Sequence, residues 1–544
     1  MVEKRAEEIF TAFKEHSIAE FFKKNRQMLG YSGKVRSLVT VVHEFVTNSL
    51  DACEDAGILP SIRVEAAAMG EERYRITVTD NGPGIPRGYV GKALATILAG
   101  TKFHRYVQQR GQQGIGAAGC TLFSQVTTGK QILASSFTGT GKPYSCRISI
   151  DTVKNRPVVS EMVDLEAFPR GLRVEGEFAD VKYENSDHGI LEYIKRTALS
   201  NPHTEITFVD PEGREHMFPR SVDLVPERPS PAKPHPLGLS VNDLLEYSKA
   251  CKSSKISSFL VDTFARTSQN KVNELRELCP GVDFGKDPRQ MNWDEAEALI
   301  KAFGQVKWIV PESAHIKPIG KPQIELAMRN IFDPEFMNVV ERRPAILKGG
   351  IPFIVEAAAA FGGNSGKRVD GAYEGTIMRF ANRVPLLFDS GTCAITTAVR
   401  SIDWKRYRID MERQPISLFV NVSSVHIPYS GVGKESIAQE EEVIDEIRLA
   451  VMEAARGIQR YVGGKMRMDS EANRYKAIMR YARQLSLDLG GLTGESPERL
   501  EKEIESLTKK RFPKLSEEAD DVAQQEPATE PEGEEDEGGA SPLA

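Results

Sequence analysis

No run of the chain reaches the roughly 18 consecutive apolar residues that a membrane-spanning helix needs, so membrane insertion is not expected from these 544 residues. The opening stretch, Met1-Val2-Glu3-Lys4-Arg5-Ala6-Glu7-Glu8, is charged from its third residue and lacks the apolar region of a secretory signal, which makes the cytoplasm the expected compartment. Cysteine is scarce: Cys53, Cys120, Cys146, Cys251, Cys279 and Cys393 include no Cys-x-x-Cys pair. That spacing argues against a zinc site and against a disulfide framework, and leaves six reduced thiols. The nine histidines never fall in a His-Glu-x-x-His pattern, so no structural metal site is indicated.

What is present is ordinary in amount and uneven in distribution. Apolar residues make up 40% and charged residues 27%, values of a globular protein, over a length that calls for two to four domains. The net charge of −6 hides an asymmetry, because Leu515 to Ala544 holds eleven Asp or Glu and no Lys or Arg. The remainder carries 71 basic against 66 acidic residues, a slight excess that is compatible with a polyanionic partner without demonstrating one. The tail is rich in Glu, Pro and Gly and is expected to be a disordered, solubilising segment.

Periodicity organises the rest. Leu38, Val41, Val42, Phe45, Val46 and Leu50 recur at helical spacing within residues 35–56. Tyr74, Ile76 and Val78 alternate with polar residues as in a half-buried strand, which breaks at Asp80-Asn81-Gly82-Pro83-Gly84. Residues 85–110 read as short helix and loop, residues 117–126 as helix, and residues 131–136 and 144–150 as antiparallel strands beneath those helices. Together they describe an α/β sandwich rather than a βαβ repeat. A proline-rich stretch, 226–236, marks a boundary. Short helices are expected at 241–250, 255–264, 271–277 and 293–303. A second α/β region follows from about Lys307, with strands at 353–357, 385–388 and 416–420 and helices at 440–461 and 470–487.

Three motifs could carry chemistry. Glu44, Asn48 and Asp51 stand at i, i+4 and i+7 on one face of the first helix. That stripe is either solvated or faces a site, where a carboxylate could take a proton from water and an amide oxygen could join the shell of Mg²⁺. Asp80 ends a strand at a Gly-x-Gly turn; this is either a plain β-turn or a place where Gly82 and Gly84 admit a planar ligand whose amine the carboxylate accepts. Gly111-Gln112-Gln113-Gly114-Ile115-Gly116, followed by a helix, offers free backbone N–H groups and a positive helix end to a phosphate. Gly114, Gly116 and Gly119 also satisfy Gly-x-Gly-x-x-Gly, but no apolar strand precedes them and no acidic residue lies near position 139, which excludes a dinucleotide fingerprint. No Gly-Lys-Ser/Thr follows, so the loop is not a Walker A loop either. Each motif is weak alone, yet the three occur in order between residues 44 and 116.

That combination resembles the Bergerat-fold ATPases, the superfamily of DNA gyrase, Hsp90 chaperones, MutL proteins and sensor histidine kinases. The glycine loop, Arg379-Phe380-Ala381-Asn382-Arg383-Val384-Pro385-Leu386-Leu387 and Gly433-Lys434-Glu435-Ser436-Ile437-Ala438 together resemble the B subunits of archaeal type IIB topoisomerases, topoisomerase VI, over residues 5 to 510. The resemblance implies an α+β fold. It divides into a Bergerat-fold ATPase domain with an N-terminal strap (1–228), a helix-two-turn-helix insert (229–306), a transducer domain (307–470), a C-terminal helical segment (471–512) and the acidic tail (513–544).

By resemblance, Glu44 is the general base, Asn48 the Mg²⁺ ligand and Asp80 the partner of the adenine amine. Thr101 and Lys102 belong to the ATP lid, and Gly111, Gln112, Gln113, Gly114, Ile115, Gly116 and Ala117 wrap the phosphates. Lys434 is the switch lysine that reaches the γ-phosphate; by its sequence context alone it is an ordinary exposed loop residue. One departure is Leu172, where relatives usually carry a threonine whose hydroxyl supports the adenine site through water.

The implied cofactors are ATP and Mg²⁺. The implied partners are the topoisomerase VI A subunit, in an A2B2 heterotetramer, a second B subunit joined by an ATP-dependent B–B homodimer contact, and double-stranded DNA near the nucleoid. Lys252, Lys255, Arg266 and Lys271 either face DNA or are solvated. Trp404-Lys405-Arg406-Tyr407-Arg408 is either a DNA contact or two core aromatics with exposed cations. The rival function is a MutL- or Hsp90-like ATPase acting in DNA repair or as a chaperone, which would need neither the insert nor an A-type partner. A nucleotide-dead DNA clamp is disfavoured by the presence of Glu44, Asn48 and Lys434.

Overall fold

The computed structural model describes residues 26, 30–97, 107–111, 114–309, 312–347, 349–431 and 433–512. The expected strap before residue 26, the lid residues Thr101 and Lys102, Gln112, Gln113 and the acidic tail lie outside them. Contacts divide the chain into two units, residues 1–458 and 459–544.

The first unit begins with α1 (Lys34–Ala56), whose apolar stripe is buried as its spacing requires. An eight-stranded sheet lies beneath it. Its elements are β1 (Ser61–Gly70), β2 (Arg73–Asp80), α2 (Val90–Ala95), α3 (Gly116–Thr128), β3 (Ile132–Phe137), β4 (Tyr144–Asp151), β5 (Arg156–Asp164), β6 (Gly171–Ala179), α4 (Ile190–Ser200), β7 (Glu205–Val209) and β8 (Glu215–Phe218). The strand order is β5-β4-β3-β6-β2-β1-β7-β8. The strands expected at 131–136 and 144–150 pair antiparallel as β3 and β4, and one pair elsewhere in the sheet is parallel: β1 with β7, reached after α4 carries the chain back across the sheet. The core joins α1 (Leu38, Val42, Phe45), the sheet (Val64, Ile76, Val174) and α3 (Leu122, Phe123).

The insert folds around its own core. Leu244, Phe259, Leu260, Phe264, Leu275, Leu299 and Phe303 come together from α5 (Val241–Ala250), α6 (Ile256–Thr263), α7 (Gln269–Leu278) and α8 (Trp293–Phe303). Capping boxes at Ser240/Asp243 and Asn292/Glu295 start α5 and α8, which is why their boundaries are legible locally.

The second α/β region contains α9 (Lys321–Phe332), β9 (Phe336–Glu341), β10 (Ala345–Leu347), β11 (Ile351–Phe361), the hairpin of β12 (Lys367–Val369) and β13 (Ala372–Glu374), β14 (Thr376–Ala381), β15 (Val384–Pro385), α10 (Ala394–Arg400) and β16 (Ile416–Ser424). Its six-stranded sheet is ordered β10-β11-β16-β14-β15, with β9 on β11. The strand expected at 385–388 ends at Pro385, which cannot donate to a ladder. The two helices expected between 440 and 487 are one, α11 (Glu441–Thr493): no proline interrupts it, and Gly463 and Gly464 each cost only about 1 kcal/mol relative to alanine. Within the first unit α11 buries Val443, Ile447, Val451 and Ala455.

The second unit holds the rest of α11 and α12 (Pro497–Arg511), with an edge contact between Tyr475 and Phe512. No helix among the described residues is long and apolar enough to cross a membrane. All six cysteines are free thiols, five of them buried.

Candidate functional site

One cavity of about 650 Å³ opens between α1, β2, α2, the glycine loop and the loop after β16. Glu44, Asn48, Asp80, Gly84, Gly111, Gly114, Ile115, Gly116, Ala117 and Lys434 all line it, so residues up to 390 positions apart in the sequence share one wall. Gly82 does not line it but donates its N–H to Asp80 Oδ1 at 2.9 Å. Thr101, Lys102, Gln112 and Gln113 fall outside the described residues.

Asp80 forms the floor. Its Oδ2 accepts from the Ser49 hydroxyl at 2.7 Å, and its Oδ1 accepts from the N–H groups of Gly82 and Leu172, the latter at 3.2 Å. Burial pushes its pKa up, opposed by these three donors. The missing hydroxyl at Leu172 therefore leaves Asp80 held by backbone and by Ser49, a residue with no sequence signal of its own although it sits one position after Asn48. Gly171, at φ +141°, is obligatory here because a Cβ would meet the Asp80 carbonyl oxygen at 2.0 Å. Gly84, at φ +70°, likewise leaves no room, with the Phe137 carbonyl oxygen 2.4 Å from a built Cβ.

Glu44 and Asn48 project from α1 into the cavity, Asn48 exposed. The third member of the stripe, Asp51, has a different task. It accepts from Arg110 at 2.8 Å, while Glu54 takes both Arg110 Nη1 and Nη2, at 2.8 and 2.6 Å, and pairs with His203 at 2.7 Å. Arg110 precedes the first loop glycine, so this buried cluster clamps the glycine loop to α1. Burial opposes the charge on Arg110, but Glu54 and Asp51 outweigh it and raise its pKa. Nothing in the local sequence marks Arg110, since its partners lie elsewhere in the chain.

Lys434 enters from the second α/β region on a loop whose Gly433 stands beside Arg36 and Gly30 at the start of α1, and the segment after β15 meets the same arginine. Arg36 makes two bonds to Asp389, at 3.1 and 2.9 Å, and lies 5.1 Å over the Phe388 ring. Lys434 itself adopts the left-handed conformation, φ +53°. Burial lowers its pKa, with Glu44 and Asp51 acting the other way. Among the described residues it has no ion pair, and no group of three His, Cys, Asp or Glu could hold a metal there.

The cations flagged for DNA divide. Lys252 and Lys255 are exposed, whereas Arg266 pairs with Glu312 and Lys271 with Glu274. In the 404–408 segment Tyr407 is buried and Trp404 donates to the Val399 carbonyl, while Lys405, Arg406 and Arg408 are exposed.

Two family models match the chain: "Histidine kinase-, DNA gyrase B-, and HSP90-like ATPase" over residues 33–152 and "Topoisomerase VI B subunit, transducer" over residues 311–474. Curated relatives span almost the whole chain. The type 2 DNA topoisomerase 6 B subunit of Thermococcus kodakarensis is 40% identical, covering 96% of this chain and 99% of its own. That of Pyrococcus horikoshii is 42% identical over 91% and 95%, and that of Methanothermobacter thermautotrophicus 45% identical over 86% and 90%.

Proposed function

The chain belongs to the family of type 2 DNA topoisomerase 6 B subunits, which carry the ATPase, and from that premise we propose how its residues divide the work. The observation that carries the reading is that Glu44 from α1 and Lys434 from the second α/β region line one cavity. A nucleotide there touches both regions at once.

Asp80 accepts the adenine amine, which guanine cannot offer at that position. The cavity's volume, the cradle at Gly84, where a side chain would meet backbone, and that at Gly116, where it would meet the Glu44 carboxylate, suit a nucleotide triphosphate. The N–H groups at the start of α3 and the loop glycines hold phosphate oxygens, aided by the helix dipole. Glu44 accepts a proton from water as the water oxygen bonds to the γ-phosphorus and the bond to the β-phosphate breaks, yielding ADP and phosphate. Asn48, exposed to the cavity, would hold Mg²⁺ through its side-chain oxygen. When bound, Mg²⁺ supplies charge neutralisation on the phosphates. Lys434, desolvated and without an ion pair among the described residues, gains a partner from the γ-phosphate and loses it on hydrolysis. It thereby favours one arrangement of the two regions with ATP and another with ADP.

In this reading two B subunits close on ATP around a duplex, and the A-type partner cuts the DNA. The exposed Lys252, Lys255, Lys405, Arg406 and Arg408 offer cations to the phosphate backbone. The domain boundaries proposed are those expected from the resemblance, and the separate core of the insert supports the second of them. The test is DNA relaxation and ATP turnover by the complex with the A-type partner, comparing the unmodified chain with Glu44→Gln. Loss of both in the variant supports the assignment, and undiminished turnover without the carboxylate overturns it.

A further inference from the structure

The glycine loop and Lys434 come from opposite ends of the chain, yet a short run of hydrogen bonds ties them together outside the cavity. Gln108 and Lys317 bond reciprocally: Gln108 Nε2 donates to the Lys317 carbonyl at 3.1 Å, and the Lys317 N–H donates to Gln108 Oε1 at 2.6 Å. One residue on, the Gln109 carbonyl accepts from Asn382 Nδ2 at 3.1 Å. Asn382 spends its other capacity on Ser424, donating to its carbonyl at 2.9 Å and accepting from its N–H at 2.9 Å. Ser424 is the last residue of β16, and β16 leads directly into the loop that carries Lys434.

These are not surface contacts. Gln108 is 7% exposed and Asn382 2%. Asn382 and Arg383 both hold left-handed backbone, φ +49° and +67°, in the turn between β14 and β15. A two-residue hairpin turn takes such backbone at both central positions, and neighbouring side chains can pin it further. Here they do: Ser200 Oγ and Asn201 Nδ2 donate to the Arg383 carbonyl, and Asn201 accepts from Arg110 at 2.6 Å. A buried side-chain amide that bonds both Gln109 and Ser424 fixes the distance between the segment entering the glycine loop and the strand feeding Lys434.

We propose that Gln108 and Asn382 are positioning residues that couple the glycine loop to the Lys434 loop, so that a change at the nucleotide felt by one loop is passed to the other. This rests on the division of labour proposed above. Neither residue lines the nucleotide cavity, so each acts on conversion of ATP hydrolysis into DNA passage rather than on hydrolysis itself.

The experiment uses the complete complex with its A-type partner on supercoiled DNA, comparing Gln108→Ala, Asn382→Ala and the double variant with the unmodified chain. It reads KM for ATP, basal ATP turnover without DNA, and strand passages per ATP consumed. The expected result is KM and basal turnover within about twofold of the unmodified chain, with passages per ATP lower by about tenfold, the scale of a typical coupling free energy. Unchanged passages per ATP would overturn the proposal. So would a loss of basal turnover in proportion to passage, which marks residues that merely hold the nucleotide loop in place.

If the alanine variants fail to fold, Gln108→Glu decides. It keeps the acceptor for the Lys317 N–H and the side-chain shape but removes the donor to the Lys317 carbonyl, and it is expected to lose coupling with intact basal turnover; wild-type coupling in it would refute the idea. Glu44→Gln runs in parallel. Normal turnover in that variant, or ATP-independent relaxation by the unmodified chain, would bring down the underlying assignment and this one with it. Full coupling in the Gln108 and Asn382 variants alone would bring down only this one.

Discussion

The carboxylate of Glu44 rests against the Cα of Gly116: a β-carbon built on that glycine would stand 1.8 Å from Glu44 Oε2. No side chain can occupy that position unless the carboxylate moves. Gly116→Ala is therefore expected to displace Glu44 and cut ATP turnover by about 100-fold or more, the lower range for losing a general base, with a smaller change in nucleotide affinity. Turnover kinetics beside fluorescent-nucleotide binding would measure both. Near-normal turnover would show that Glu44 works from another position.

Asp80 offers a cleaner test of base recognition, because Asn retains the Oδ1 that accepts from Gly82 and Leu172 and replaces only the oxygen facing Ser49. The fold should tolerate Asp80→Asn within about 1 kcal/mol, the worth of one hydrogen bond. ATP affinity should fall by about 100-fold, since an amide donor then meets the adenine amine. Calorimetric titration with ATP would settle the matter; unaltered affinity would remove Asp80 from the adenine site.

Arg110 should matter to stability as much as to activity. Burial opposes ionisation of Glu54, but Arg110 and His203 outweigh it and hold its pKa well below the usual carboxylate range. A depressed folded value contributes stability above the unfolded pKa, near 4.5, that is lost only as pH falls through the folded value. Arg110→Met removes the compensation and should cost about 3–5 kcal/mol at pH 8. Burial then dominates at Glu54, its pKa rises, and the deficit should shrink on going to pH 5. Urea melts at the two pH values test this, and an equal deficit at both would assign the loss to packing.

Glu435 has the opposite sign. Burial pushes its pKa up to about 7, with Arg36 and Arg379 opposing and Asp389 adding to the rise. The folded state prefers the protonated form, so stability present below pH 4.5 is lost as pH climbs through about 7. Glu435→Gln should lie within about 1 kcal/mol of the unmodified chain near pH 5 and exceed it at pH 8 by about 3 kcal/mol, the rise from 4.5 to about 7 taken at about 1.4 kcal/mol per pKa unit. Thermal melts across that range provide the measurement, and a gap that does not grow with pH would refute it.

Much of the fold was legible because its signals are local. The apolar stripe of α1, the alternation in β2 and the caps at Ser240 and Asn292 act within a few residues of where they are written, and the helices at 241–250 and 293–303 lie where the sequence puts them. The single α11 was not legible, because a pair of glycines reads as a break although packing along its first half carries the helix on. The parallel pairing of β1 with β7 could not be read either, since strand direction depends on where α4 returns the chain.

The sequence by itself determined the chemical types available: a carboxylate and an amide one helical turn apart at Glu44 and Asn48, an aspartate at a glycine turn, a glycine loop before a helix, and a lysine on a distant loop. Only the tertiary structure decided what each meets. It paired Asp51, on the same cavity wall as Glu44 and Asn48, with Arg110, gave Asp80 the Ser49 hydroxyl 31 residues away, joined Arg110 to Asn201 across 91 residues, and brought Lys434 to the wall that holds Glu44. The reason is physical: a buried charge or amide is stable only with a partner, and in a chain of this length that partner is chosen by how the sheets and helices pack.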